Sequence, residues 1–220
     1  TFDPPHCGHI AVARAARNAL RLDTVLFAPV GSQPLKPEGS TAPYDDRVAM
    51  TELAISGEPG FELSTVDAPN ATGRPNYTLH TLRRLAADLP DAELFCLMGA
   101  DSFLSLRRWH GTSELPFAAS LVIASRPGED FSDLAAILPE GVAAEPEPAV
   151  CSADPRIQLL GYALHNQAGQ SASLYLLPGL DIEISATAIR RQIREGIPAS
   201  AQPVLPLAVA QYLREHRIYR

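Results

Sequence analysis

The chain has 220 residues, 46% of them hydrophobic, enough to enclose a full core in one domain. A formal net charge of -7 excludes a surface built for nucleic acid or anionic membranes, and no apolar run reaches the ~20 residues of a membrane span. The three cysteines, Cys7, Cys96 and Cys151, are far apart with no CxxC pair, which excludes a disulfide framework and points to a reducing cytoplasm.

The chain opens on Thr1-Phe2-Asp3-Pro4-Pro5-His6-Cys7-Gly8-His9 and runs into a helical pattern over 10–20, with Ile10, Ala13, Ala16 and Leu20 along one side. Pro4 and Pro5 fix the backbone ahead of that helix. His6 and His9 are three apart, so in a first helical turn their imidazoles face the same way. The amides and dipole of such a turn favour an anion, and Gly8 leaves the backbone open to it. The stretch therefore reads as a phosphate cradle. Zinc requires three or four ligands, and no further His or Cys sits at a spacing that completes such a set.

The elements then alternate. A buried strand is expected over 23–30, followed by a Pro- and Gly-rich loop over 31–44, of a length usually kept for lids, carrying the only lysine, Lys36. A helix follows over 45–57, with Met50, Leu53, Ala54 and Gly57 on one side, and then a strand over 61–66. The next helix, 76–89, turns Leu79, Leu82, Ala86 and Leu89 inward and stops at Pro90. A strand over 93–99, a short helix over 101–108 and a strand over 119–125 continue the rhythm. Strands separated by helices in this order predict an α/β fold with a doubly wound parallel sheet. Ligands bind beyond the carboxyl ends of such strands, where Pro29-Val30, Gly99-Ala100-Asp101 and Ser125-Arg126 are delivered. The stretch 138–170, with four prolines and four acidic residues, reads as an irregular excursion, and a strand returns over 173–177. Near the end, Ile184-Ser185-Ala186-Thr187-Ala188-Ile189-Arg190 opens C-terminal helices over 185–216. Ser185 is a suitable N-cap, Gly196 and Pro198 end its helix, and Thr187 and Arg190 share one side. A hydroxyl, open amides and a guanidinium again suit phosphate oxygens.

The opening string resembles the TFDPxHxGH signature of the nucleotidyltransferase superfamily, and 184–190 resembles its second motif, ISxTxIR. Arg74-Pro75-Asn76-Tyr77-Thr78, Gly99-Ala100-Asp101-Ser102, Arg108-Trp109-His110 and the closing His216-Arg217-Ile218-Tyr219-Arg220 are similar to bacterial nicotinate-nucleotide adenylyltransferases. The resemblance covers nearly the whole chain outside 138–170. In that family an apolar strand and a Gly-rich turn precede the first motif, so a strand is expected ahead of Thr1. It implies one Rossmann-like nucleotidyltransferase domain over 1–220 that joins ATP to nicotinate mononucleotide, with Mg²⁺, releasing pyrophosphate. Both substrates are small molecules, and no nucleic acid or membrane partner is implied. It further implies that His6, His9, Lys36 and Arg190 are catalytic, neutralising charge as pyrophosphate leaves. Thr1, Phe2, Gly8, Gly99, Asp101, Ile184, Ser185 and Thr187 would bind ATP, with Asp101 on the ribose. Thr78, Trp109 and His110 would bind the acceptor, with Trp109 stacked on the pyridine ring. Nicotinamide mononucleotide or phosphopantetheine as acceptor, or a non-catalytic dinucleotide sensor, stay open as alternatives. His80 stands where the family often has an acidic residue and reads as a core-edge histidine, and Cys7 reads as a bystander.

Overall fold

The computed structural model describes residues 1–35, 39–125, 131, 133–147, 152–177, 184–198 and 204–220. Lys36, Arg126 and Cys151 lie outside the described residues. In chain order the elements are α1 (Cys7–Leu20), β1 (Val25–Phe27), α2 (Tyr44–Ile55), β2 (Phe61–Leu63), α3 (Thr78–Asp88), β3 (Phe95–Gly99), α4 (Ala100–Leu104), β4 (Ser120–Ala124), α5 (Leu134–Ile137), β5 (Val142–Pro146), β6 (Leu160–Asn166), β7 (Ser171–Leu177), α6 (Ala186–Arg194) and α7 (Leu207–Glu215). Short 3₁₀ turns at Leu106–Arg108 and Leu115–Phe117 join α4 to β4. These elements form two compact units, one of Thr1–Arg14, Asp23–Asn76 and Ile182–Arg220, the other of Ala15–Leu22 and Tyr77–Asp181.

In the first unit β1 and β2 pair in parallel, with Phe27 opposite Leu63, and the rings of Phe27 and Phe61 lie 5.2 Å apart. Met50, Ala54 and Ile55 of α2 and Val209, Ala210 and Leu213 of α7 are buried. The two helices are joined by the Tyr212 hydroxyl, which donates to Asp46 Oδ1 at 2.9 Å. The expected inner face of α2 is corrected in two respects: Gly57 is exposed beyond the end of the helix, and the buried side of the helix differs from the one expected. Leu53 is exposed, whereas Arg47 and Thr51 are buried, because this helix also covers the polar N-terminal motif.

The second unit holds a five-stranded sheet of order β3-β4-β7-β6-β5. Strands β3, β4 and β7 run parallel, as the α/β reading requires. β4 sits between two partners and is apolar from Leu121 to Ala124, and its alternation feeds two faces. Leu121 and Ile123 join one cluster with Leu79, Phe103, Leu106, Leu164 and Leu174, while Val122 joins another with Ala16, Ala19, Leu159 and Leu177. α3 contributes Leu79 and Leu82 to this core; Leu89 is 44% exposed and Ala86 is exposed too, since the helix rolls out of the core after two turns.

The stretch 138–170 is less irregular than expected: its described residues supply β5 and β6, which pair antiparallel with each other, and β6 pairs antiparallel with β7. Its turn chemistry is local. Asn166 Oδ1 accepts from the amides of Ala168 at 3.1 Å and Gln170 at 3.0 Å, and Gly169 takes φ +77. Pro146 is tolerated because it ends the strand on the sheet edge. Among the described residues no helix is long and apolar enough to cross a membrane.

Candidate active site

In the first unit the N-terminal motif folds as a helix start. Helix α1 begins at Cys7, and the Cys7 amide donates to the Val204 carbonyl at 2.8 Å. The spacing of His6 and His9 brings their rings into a stack, centroids 3.7 Å apart and 25° from parallel. Phe2 closes the other side of His9, edge-on at 5.0 Å, and leans on Phe27 at 5.5 Å. Phe2 also holds φ 51, a left-handed conformation that bulky residues rarely adopt and that tends to mark functional sites.

His9 Nδ1 accepts from the His6 backbone N–H at 3.1 Å. The neutral ring must therefore carry its proton on Nε2, which leaves Nε2–H as a donor. Burial, and then the neighbouring His6, hold the His9 pKa well below its ordinary 6.5. His9 is thus a neutral hydrogen-bond donor at pH 7, and only a bound anion would raise its affinity for a second proton.

The second motif lies in the same unit. Ser185 caps α6, its Oγ accepting from the Ala188 amide at 3.4 Å. Arg190 Nη2 donates to Thr187 Oγ1 at 3.2 Å and Nη1 to the Asp3 carbonyl at 2.7 Å, so the two motifs meet through a guanidinium. The Arg190 side chain is 16% exposed, whereas Arg191 is 71% exposed and faces Glu195 at 3.9 Å, about 100° away around the helix.

Three residues the sequence reading did not assign hold this arrangement. Asp3 is 4% exposed; its Oδ2 accepts from the Thr41 amide at 2.7 Å, its Oδ1 from the Ala42 amide at 3.1 Å and the Tyr219 hydroxyl at 2.7 Å. Burial and the bond to Asp3 push the Tyr219 phenol far above its ordinary range, so it stays a donor. Arg47, 1% exposed, donates to the carbonyls of Ala42 at 3.2 Å and Thr1 at 3.1 Å, and the Asp3 carboxylate is the opposite charge that acts on it most. No local pattern announces Arg47; Tyr219 lies in the closing string and Asp3 in the opening motif, but neither string tells that the two bond to each other.

In the second unit Thr78 opens α3, beside Tyr77, whose ring stacks on His110 at 4.1 Å. His80 meets His110 edge-on at 5.2 Å; exposed on the surface of α3, it is not the core-edge residue expected. Trp109 is half-buried against the apolar cluster, and its indole N–H donates to Ser105 Oγ at 3.1 Å. Gly111 takes φ +65, and a Cβ there would stand 2.3 Å from Leu79 Cδ2. Gly99 ends β3 with nothing within 4 Å of the position a Cβ would take, and Asp101 is exposed in the first turn of α4. Burial pushes the Cys96 thiol up to about 12, which removes it as a nucleophile. Among the described residues no group of three or more His, Cys, Asp or Glu side chains could hold a metal ion.

The first unit thus brings together Thr1, Phe2, His6, Gly8, His9, Ser185, Thr187 and Arg190, and the second holds Thr78, Gly99, Asp101, Trp109 and His110. Residues 1–192 match the family described as cytidylyltransferase-like. The chain belongs to that family.

Among cytidylyltransferase-like relatives, a probable nicotinate-nucleotide adenylyltransferase of Geobacter metallireducens is 36% identical over 219 residues, covering 100% of this chain and 94% of the relative. A protein of the same name from Roseiflexus sp. is 36% identical over 220 residues, with the same coverage of 100% and 94%. The fold is also that of Plasmodium falciparum nicotinic acid mononucleotide adenylyltransferase complexed with NaAD, at TM-score 0.69 and 12% identity, covering 99% of this chain and 93% of that one. This member of the cytidylyltransferase-like family therefore has the Rossmann-like α/β architecture that its strand and helix rhythm predicts.

Proposed function

We propose that the chain is an enzyme of NAD biosynthesis that transfers the adenylyl group of ATP to nicotinate mononucleotide, yielding nicotinate adenine dinucleotide and pyrophosphate. The observation that carries this reading is the joined pair of motifs, His6 and His9 stacked at one helix start and Arg190 bound to Asp3 and Thr187, in a chain with full-length relatives of that name. The acceptor 5′-phosphate is already a nucleophile at neutral pH. One of its oxygens forms a bond to the α-phosphorus of ATP while the bond to the bridging oxygen of pyrophosphate breaks, so no covalent enzyme intermediate is needed.

The chain's own residues position and neutralise. His9 Nε2–H donates to a phosphate oxygen, His6 and Arg190 add charge-assisted bonds, and Lys36 acts from the 31–44 loop as a lid. Thr1, Phe2, Gly8, Ile184, Ser185 and Thr187 hold ATP phosphates and base through backbone and hydroxyl groups, Gly99 admits the adenosine closely and Asp101 accepts from the ribose hydroxyls. Trp109 offers a face to the pyridine ring, while Thr78 and the His110 amide meet its carboxylate. Mg²⁺ would arrive with ATP, held by phosphate oxygens and water, and lower the charge of the leaving pyrophosphate. The donor set fits that arrangement, because the buried Asp3 carboxylate is committed to two amides and a phenol. Residues 1–220 act as one nucleotidyltransferase domain, and the free thiols of Cys7 and Cys96 suit a cytoplasmic setting.

The deciding experiment measures pyrophosphate release with ATP and each mononucleotide side by side. A site built for a ring carboxylate leaves donors unpaired against a carboxamide, which predicts on the order of 10²-fold preference in kcat/KM for nicotinate mononucleotide. Equal values for the two acceptors would overturn the acceptor assignment, and no pyrophosphate with either would overturn the activity.

A further inference from the structure

We infer that Tyr219 is a positioning residue for adenylyl transfer, acting through Asp3 to hold Arg190 in place. The inference rests on the proposed function above and deepens it. Tyr219 stands 216 positions along the chain from Asp3, yet its hydroxyl donates to Asp3 Oδ1 at 2.7 Å and its side chain is 6% exposed. The carboxylate is held by three donors: the Thr41 amide on Oδ2, and the Ala42 amide and the Tyr219 phenol on Oδ1. Together these fix the Asp3 side chain and so its main chain. The Asp3 carbonyl is the acceptor that Arg190 Nη1 grips at 2.7 Å, and Asp3 Oδ2 lies 4.0 Å from the same nitrogen. Arg190 is thereby held from two directions, by Asp3 on one side and Thr187 on the other.

Removing the phenol oxygen leaves Oδ1 with the Ala42 amide as its remaining donor among the described residues. A buried carboxylate short of a donor turns toward other partners, and here Arg190 Nη1 already lies 4.0 Å from Oδ2. Arg190 is then drawn off its phosphate-facing position. The effect falls on the charge-stabilised step more than on ATP binding, because a small misplacement costs most where transition-state charge is met.

The protein carries a built-in control. Tyr212 donates to Asp46 Oδ1 at 2.9 Å in the same unit, so Tyr212→Phe removes the same chemistry without touching Asp3 or Arg190. The experiment is a double-mutant cycle of Tyr219→Phe with Arg190→Ala, with Tyr212→Phe alongside. Turnover, ATP Kd by calorimetry and melting temperature are measured for each full-length variant at 25 °C. Expected is a kcat reduced about 10-fold by Tyr219→Phe in the Arg190 background and less than about 2-fold in the Arg190→Ala background, with ATP Kd raised no more than about 3-fold. Tyr212→Phe keeps wild-type kcat while losing a similar amount of melting temperature. Equal reductions in both backgrounds, or wild-type kcat in Tyr219→Phe, overturn the inference. Should Tyr219→Phe not fold at 25 °C, Tyr219→Met takes its place in the cycle under the same criteria, since it also lacks the hydroxyl that donates to Asp3 Oδ1 and its flexible side chain can fill the space. A wild-type protein that releases no pyrophosphate refutes the proposed function instead. The positioning role of Tyr219 in that reaction then falls with it.

Discussion

Replacing His9 by Asn separates the two nitrogen atoms of one ring. An asparagine oxygen can occupy the place of Nδ1 and keep accepting from the His6 N–H, now at 3.1 Å, but nothing then stands where Nε2 was. The fold should feel the loss of two ring contacts, the stack on His6 at 3.7 Å and the edge of Phe2 at 5.0 Å. At ~0.5–1.5 kcal/mol each, these give a destabilisation of about 1–3 kcal/mol. Turnover should feel the loss of one donor aimed at developing charge, about 10²–10³-fold in kcat, with ATP affinity changed less. His9→Gln is the complement: it can place an amide N–H near Nε2 and forfeits the Nδ1 acceptor, so it should recover part of the turnover while being no more stable. Pyrophosphate release under saturating ATP, calorimetric ATP binding and thermal melts of the three proteins provide the comparison. The reasoning fails if His9→Asn turns over within about 3-fold of wild type, or if Gln proves the poorer catalyst of the two.

Two further outcomes follow from the same structure. The His9 pKa is depressed in the folded state, so its contribution to stability is complete above the unfolded value of 6.5 and is lost as pH falls below it toward the folded pKa. Urea midpoints should therefore drop between pH 7.5 and pH 5 more in the wild type than in His9→Asn; parallel pH slopes would refute this. Gly111→Ala forces a left-handed backbone onto an L residue and drives a methyl against Leu79, which is 2% exposed and cannot retreat. The combined cost is on the order of 2–4 kcal/mol, read as a lowered urea midpoint, and a change within about 0.5 kcal/mol would show that the loop simply shifts.

Much of the molecule was legible because its determinants are local. The three-residue spacing of His6 and His9, the Ser185 cap and the pairing of Thr187 with Arg190 are properties of single helical turns, and each turn forms as its spacing dictates. The same holds for the alternation of strands and helices, which yields the parallel order β3-β4-β7. What depended on distant partners was not legible. The strands of 138–170 exist because β6 finds β7, and their own prolines and acids say little of it. Leu53, Ala86 and Leu89 continue an apolar helical face that the neighbouring elements do not extend far enough to cover, so periodicity alone misplaced them. Asp3 could be read as part of a motif, but not as a buried carboxylate bonded across 216 positions to Tyr219, with Arg47 and Arg190 supplying the opposite charge. A helical turn is written in a few consecutive residues, whereas the partner of a buried charge is decided only when the whole chain has closed around it.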